Sequence, residues 1–425
     1  MNQNNSSAEP IKTIHPYAWI VWLCSVLFYF YEFSLQSSPS VMTSELMRAF
    51  QVNAGQLGTL SAYYFYAYAL MQLPVGLLLD SLGPRLIMTI ACFLCALGSF
   101  IFSHTHSLHG AELARFLMGI GSSCAFINAL KLASLWFPSN RFAVLAGLIL
   151  AVGMLGAIGG QVPLSHFINH YGWRSSMEIL SYSGFGLAIL FYLLVRNGAN
   201  FEKMRNDPNH QKSFSTDGLK IVLLSPQMWL MSLFGALMFA PTPAFGELWG
   251  IPFIVATFGV DTGTASKIIS GLFIGWMIGS PLFGYLTDRY GNPLHYLKLG
   301  TFLAFVSILI LLFLAQHSVI LFTIILFLFG VFSSAFLLVF TIAKESMELE
   351  YAGTVSGFLN MINELVPGLL QAGMGLVLNW CWNGKILNGA HCYSAMDYHK
   401  AAFTLPLVVG TALLLVFLIR PGQKK

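Results

Sequence analysis

Charge is scarce in this sequence. Lys, Arg, Asp and Glu make up 9% of the 425 residues, against ~25% in soluble domains. That is too little to cover the surface of a soluble globule of this size, so that class is excluded. Catalytic signatures are missing too. There is no Gly-x4-Gly-Lys-Ser/Thr phosphate loop and no His-Glu-x-x-His pair, and no polar stretch has room for a soluble catalytic domain. An enzyme is therefore not expected, and neither is an ATP-driven machine. The net charge of +4 is small and scattered, which gives nucleic acid no basic face. Most histidines (His104, His106, His109, His166, His170) fall in loops, so no metal or cofactor is expected. Four of the six cysteines (Cys24, Cys92, Cys95, Cys124) sit in apolar stretches as small core residues. Met1–Pro16 has no apolar core with a cleavage site, so the first apolar segment is expected to remain as an anchor.

What the chain has instead is apolar length. Its mean hydropathy is +0.71, and many runs reach the ~20 residues that cross a bilayer as a helix. Twelve spans are predicted: 17–36, 56–79, 84–103, 110–136, 142–167 and 173–195, then 223–248, 264–287, 293–315, 319–343, 353–378 and 402–420. They divide into two bundles of six, 17–195 and 223–420, with a polar linker at 196–222 and short tails at 1–16 and 421–425. Of the 21 Lys and Arg, fourteen fall on the side that holds both termini and five on the other. The positive-inside rule then puts both termini in the cytoplasm. The expected setting is multi-pass in a bacterial inner membrane.

One short stretch occurs twice. Gly76-Leu-Leu-Leu-Asp80-Ser-Leu-Gly83-Pro-Arg85 joins spans 2 and 3, and Gly284-Tyr-Leu-Thr-Asp288-Arg289-Tyr-Gly291-Asn joins spans 8 and 9. The shared Gly-x3-Asp-x2-Gly spacing at equivalent places in the two bundles marks a duplicated membrane architecture. The two turns resemble the cytoplasmic loop signature of the major facilitator superfamily. Arg115-Phe-Leu-Met-Gly119-Ile-Gly121 is similar to that family's span 4 motif. Gly153, Gly156, Gly159 and Gly160 resemble its glycine-rich span 5, with Ala157 where proline is usual, and Tyr171-Gly-Trp173-Arg174 fits before span 6. The resemblance covers the whole chain. A looser likeness, through Arg115–Gly121 and Trp136-Phe137, links it to the branch that includes lysosomal dipeptide transporters and keeps peptides among the candidate cargoes.

The resemblance implies an all-α fold of twelve helices and alternating-access transport of a small polar organic solute, driven by a gradient in symport or antiport. The solute is of the amino acid, peptide or organic ion class, and a proton is the expected partner. A facilitative dipeptide uniporter and a transporter-like solute sensor are the alternatives, and a monomer is expected. The resemblance also implies a cytoplasmic latch at the turns, with Asp80 set against Arg85 and Asp288 against Arg289. The first copy has Ser81 where the family prefers a cation, and the second has Asn292-Pro293 in place of the last one.

Charges inside spans point to the cavity, because an ionised group at the bilayer centre costs at least ~2.5–3.5 kcal/mol. Glu364 lies near mid-span on a face with Asn360 and Gln371, beside Asn363. It reads as a proton or cation site, or as half of an internal ion pair. Glu32, near Tyr29, reads as a cavity acid or a charge at the mouth. Arg115 could pair with Glu112 one turn earlier, or, as the resemblance to the family's span 4 motif implies, enter proton coupling. Lys131 either snorkels to the interface or binds an anion, and Glu247 is a gate residue or solvated. Acids in the spans favour a cationic or zwitterionic solute, or protons; Arg115 with Lys131 would favour an anion. The glycines of span 5 are expected to let another helix ride closely. Cys381 and Cys392, together in a polar loop, are candidates for a disulfide.

Overall fold

A computed structural model of the chain describes residues 15–198, 201, 216–347, 351–387 and 389–420. The polar tails, most of the 196–222 linker and the basic residues Lys12, Lys203, Arg205, Lys212, Lys424 and Lys425 lie outside them. Eleven helical segments among the described residues are long and apolar enough to cross a membrane. One of them, Asn140–Leu194, has more than twice the length needed, and it breaks at Gly172, whose φ is +78°. That break makes two spans of it and gives twelve in all. They are α1 (Pro16–Val41), α2 (Ala54–Leu82), α3 (Pro84–His104), α4 (Leu108–Trp136), α5 (140–171) and α6 (173–194). The second set is α7 (Pro226–Phe258), α8 (Thr262–Tyr290), α9 (Pro293–Phe313), α10 (Val319–Glu345), α11 (Gly353–Cys381) and α12 (Ala395–Leu415).

Polar residues in the connections start these helices. Asn53 and Gln56 form a reciprocal capping box at α2, and Asp261 caps α8 through the Thr264 amide. Ser107, Ser225 and Ser318 cap α4, α7 and α10 in the same way. The prediction for α12 began seven residues late. A second box, Ser394 with Asp397, opens that helix at Ala395, in a stretch too polar to register as a span. Three further elements were not anticipated: a short helix Thr43–Phe50, a helix Thr216–Leu224 running from the expected linker into the first residues of the predicted seventh span, and a hairpin pairing Ile386–Leu387 with Ala390–His391.

Packing repeats between the halves. In the first, α1 packs on α5, α2 on α4 and α3 on α6; in the second, α7 packs on α11, α8 on α10 and α9 on α12. Adding six to each number of the first set gives the second. The seam between the halves obeys the same relation, because it is built from α2 on α11 and α5 on α8. Even an interruption recurs: α4 and α10 each lose regular geometry after fifteen residues, at Ser122 and Ser333. Asp80 and Asp288 both lie in the last turn of their helix. A glycine in the positive-φ region follows each, Gly83 at +86° and Gly291 at +69°, where a side chain would be strained. The duplicated turn is thus duplicated in shape.

The span 5 glycines meet α1. A Cβ on Gly153 would strike the Tyr29 ring, one on Gly156 the Phe30 backbone, one on Gly159 the Phe30 ring and one on Gly160 the Ser34 backbone. The approach lets Ser34 Oγ donate to the Gly156 carbonyl at 2.9 Å and Ser37 Oγ to the Ala157 carbonyl at 3.0 Å. Gly156→Ala is expected to lower thermal stability by about 1–3 kcal/mol, the cost of overpacking a tight contact. Gly147→Ala, on the same helix with open space around it, should be neutral or gain up to ~1 kcal/mol in helix propensity. Melting curves of the two purified variants test this; equal behaviour would show that the contact is not tight.

Candidate functional site

Five charged side chains are buried among the described residues: Glu32, Arg115, Glu247, Glu364 and Asp397. Asp397 is spent on capping α12. The other four gather around the seam, where Glu32, Glu247 and Glu364 lie in range of one another and Glu247 in range of Arg115.

Glu32 on α1 accepts a hydrogen bond from Tyr64 on α2 at 2.7 Å, and its second oxygen is sealed without a partner. Glu247 accepts from Gln36 Nε2 at 2.8 Å, a bond that crosses from one half to the other. The local cause of its position is the pair Pro241 and Pro243, which lack the amide hydrogens of a regular ladder. The helix widens to a π stretch over Thr242–Trp249, a form often found at functional positions. Glu247 is only 2% exposed, so the solvated alternative is corrected. Glu364 has no hydrogen-bond partner among the described residues, and at 9% exposure it is the least enclosed of the three. Tyr29 and Tyr68 both lie in electrostatic range of Glu32 and Glu364. The Tyr29 ring packs 5.0 Å from Phe33 and 5.5 Å from Phe126. Glu32, Glu364, Tyr29 and Tyr68 therefore lie in one region of the seam.

Arg115 does not pair with Glu112, which binds His109 at 2.9 Å instead. The guanidinium turns inward, donates to the Leu35 carbonyl at 3.0 Å and lies 4.7 Å over the Tyr64 ring. It stays in electrostatic range of Glu247. Lys131 is not an anion ligand in the seam. Its Nζ binds Asp80 at 2.9 Å at the end of the bundle that carries the repeated turns. That pair also corrects the expected partner of Asp80, because Arg85 is occupied elsewhere. Arg85 donates to the Tyr192 carbonyl at 2.7 Å and stacks on the Tyr192 ring. The second turn has no equivalent pair: Asp288 and Arg289 are exposed and make no ion pair with each other among the described residues.

On α11, Asn360 donates to Gln72 Oε1 across the seam at 3.0 Å. Asn363 is 1% exposed with both side-chain atoms unpartnered, and Gln371 donates to the Pro243 carbonyl. Reading the sequence missed Tyr64, Tyr68 and Gln72 as seam residues. Their spacing of four along α2 was the signal, while Tyr63 and Tyr66, off that stripe, pack ring to ring at 6.3 Å. It also missed Gln36 and Gln161. Gln161 donates to the Gly246 carbonyl at 2.7 Å and Ser40 at 3.0 Å. With Gln36–Glu247, and with the Ala54 amide donating to Tyr393 at 2.9 Å, it closes the end of the seam opposite the turns. Cys381 and Cys392 are separate thiols, and the Cys392 amide is held in the hairpin by the Lys385 carbonyl at 2.9 Å.

Comparison with known proteins agrees with this architecture. The family model described as Major Facilitator Superfamily matches residues 21–370. The membrane sensor protein UhpC of Salmonella typhimurium is 26% identical over 394 residues, covering 86% of this chain and 85% of that protein. The probable galactarate/D-glucarate transporter GarP of Escherichia coli is 24% identical over 285 residues, covering 60% of this chain and 64% of that one. A solved bacterial homolog of the human lysosomal transporter Spinster, in an inward-facing and unoccupied conformation, superposes with a TM-score of 0.77. It covers 95% of this chain and 97% of its own at 16% identity, a likeness of fold. Twelve apolar helices in two packed sets of six, the duplicated turn and the family match together make this chain a multi-pass membrane transporter of the major facilitator superfamily.

Proposed function

We propose that the chain is a secondary active carrier, not an enzyme, that moves a small polar organic solute by alternating access and couples it to protons. The observation that carries the reading is the seam itself: three buried carboxylates with one buried cation, between halves joined by polar links at one end and by Asn360–Gln72 further along. Leaving several ionised acids in a low-dielectric seam is costly, and protonation or a bound solute relieves that cost. By the positive-inside rule the closed end faces outward, the repeated turns face the cytoplasm, and the protein works as a monomer in a bacterial inner membrane. The similarity to a galactarate/D-glucarate transporter supports an organic cargo. The similarity to the sensor UhpC favours a second reading, in which solute binding is signalled without flux.

Two experiments bear on this. In proteoliposomes with an imposed proton gradient, the carrier concentrates its solute and a protonophore abolishes the accumulation. Glu32→Gln should lower concentrative uptake about tenfold or more, the scale of a lost hydrogen bond to a charged group. Accumulation that survives the protonophore would remove proton coupling, and binding with no flux would favour the sensor. The second concerns Asp80. Its side chain is 41% exposed where it meets Lys131, so the pair contributes at most about 1 kcal/mol to stability. Asp80→Asn should therefore leave the melting temperature within a few degrees yet slow transport several-fold, if the pair steadies one state of the cycle. Unchanged initial rates would dispose of the latch.

A further inference from the structure

We infer that the seam recognises its solute through an ammonium group, held by Glu364 and Glu32 between the rings of Tyr29 and Tyr68. The inference rests on reading the seam as the solute site. Two cations in the spans could have argued for an anionic cargo, and the structure withdraws one of them. Lys131 is committed to Asp80 at the far end, whereas Arg115 is anchored by the Leu35 carbonyl and the Tyr64 ring and keeps its Nε without a partner. The acids are not withdrawn in the same way. Glu364 has no partner, and Glu32 keeps one oxygen with none. Both lie in electrostatic range of the same two tyrosines.

Unsatisfied buried acceptors and a bare carboxylate call for a donor that carries positive charge. An ammonium supplies up to three N–H donors and one charge. Aromatic faces beside it add cation–π attraction, which grows when water is excluded. An organic anion seated at Glu32 and Glu364 would meet two carboxylates, a like-charge encounter that full protonation of both acids would remove. A zwitterion fits such a site, because Arg115 Nε, buried without a partner, is a charged donor for its carboxylate.

The test uses the full-length protein in detergent and reads thermal unfolding against three pools matched in carbon skeleton. These are the common amino acids, the amines left when each loses its carboxyl group (with choline and putrescine added), and the carboxylates left when each loses its amino group. The first or second pool should raise the melting temperature in a saturable way, and the third should not. Members that stabilise should bind Glu364→Gln about tenfold or more weakly, with the unliganded melting temperature and gel-filtration profile of that variant retained. Stabilisation by the carboxylate pool alone, by no ammonium-bearing pool, or undiminished in both Glu364→Gln and Glu32→Gln overturns the assignment. The pool comparison on the unmodified protein stands even where a variant folds poorly. Flux measurements keep the two proposals apart. Ammonium binding without transport refutes the carrier and leaves this assignment in place, whereas transport of an organic anion refutes this assignment and leaves the carrier.

Discussion

Burial of carboxylates along the seam is the constraint on which the rest of the structure turns. A bundle in a bilayer gains little from adding polar groups to its interior, since each needs a partner and each ionised one is expensive. Here Glu32, Glu247 and Glu364 are all buried, and only two of them receive a hydrogen bond. The helices around them are shaped to allow it. Glycines on α5 bring α1 close enough for serine hydroxyls to reach carbonyls on the neighbouring helix. On the facing surface Gly58, Gly368 and Gly375 let α2 and α11 pack with little between them. Small residues close the seam, and acids populate it.

The duplication explains the form of this arrangement but not its charges. Helix pairings, the fifteen-residue interruptions in α4 and α10, and the positive-φ glycines after Asp80 and Asp288 all repeat. The side chains that matter do not. Asp80 has Lys131 on α4, while the corresponding region of α10 offers Asp288 no such bond among the described residues. Arg115 has no basic counterpart in the first half of α10, whose sequence Val319–Ser333 is wholly uncharged. A symmetric frame therefore carries an asymmetric electrostatic interior, as a machine with two different end states requires.

Much of the frame was legible because its signals are local. Span length, the Gly-x3-Asp-x2-Gly repeat, the span 5 glycines and the three isolated glutamates each sit within a few residues of one another or stand out against apolar sequence. Partner choice was not legible, because it is set by tertiary contact. Lys131 and Asp80 are 51 positions apart, and Arg115 and Leu35 are 80 apart. Local proximity misled in both cases, offering Arg85 to Asp80 and Glu112 to Arg115. The start of α12 was hidden for another reason. Its capping box lies in a polar stretch, and a hydropathy reading discards polar stretches even when they are helical.

The closed end links the acids to the motion. Gln36 belongs to the first half and Glu247 to the second, and their bond of 2.8 Å is one of the contacts that shut the seam. Gln161 spans the same gap to the Gly246 carbonyl, the residue next to Glu247. Opening that end must separate both pairs at once. Glu247 would then lose its donor and gain water in the same movement, and the π stretch from Thr242 to Trp249 would be released from its cross-half clamp. A charged carboxylate is favoured by water and disfavoured by the closed seam, so the position of the gate and the charge on Glu247 bias one another. Closing with Glu247 ionised leaves a buried charge held by a single amide, whereas closing with it neutral does not. The same reciprocity reaches Glu32 and Glu364, both in electrostatic range of Glu247. A positive group seated between them offsets part of that cost and makes closure easier. In the proposed carrier, occupancy and closure would therefore be coupled through electrostatics the fold already contains.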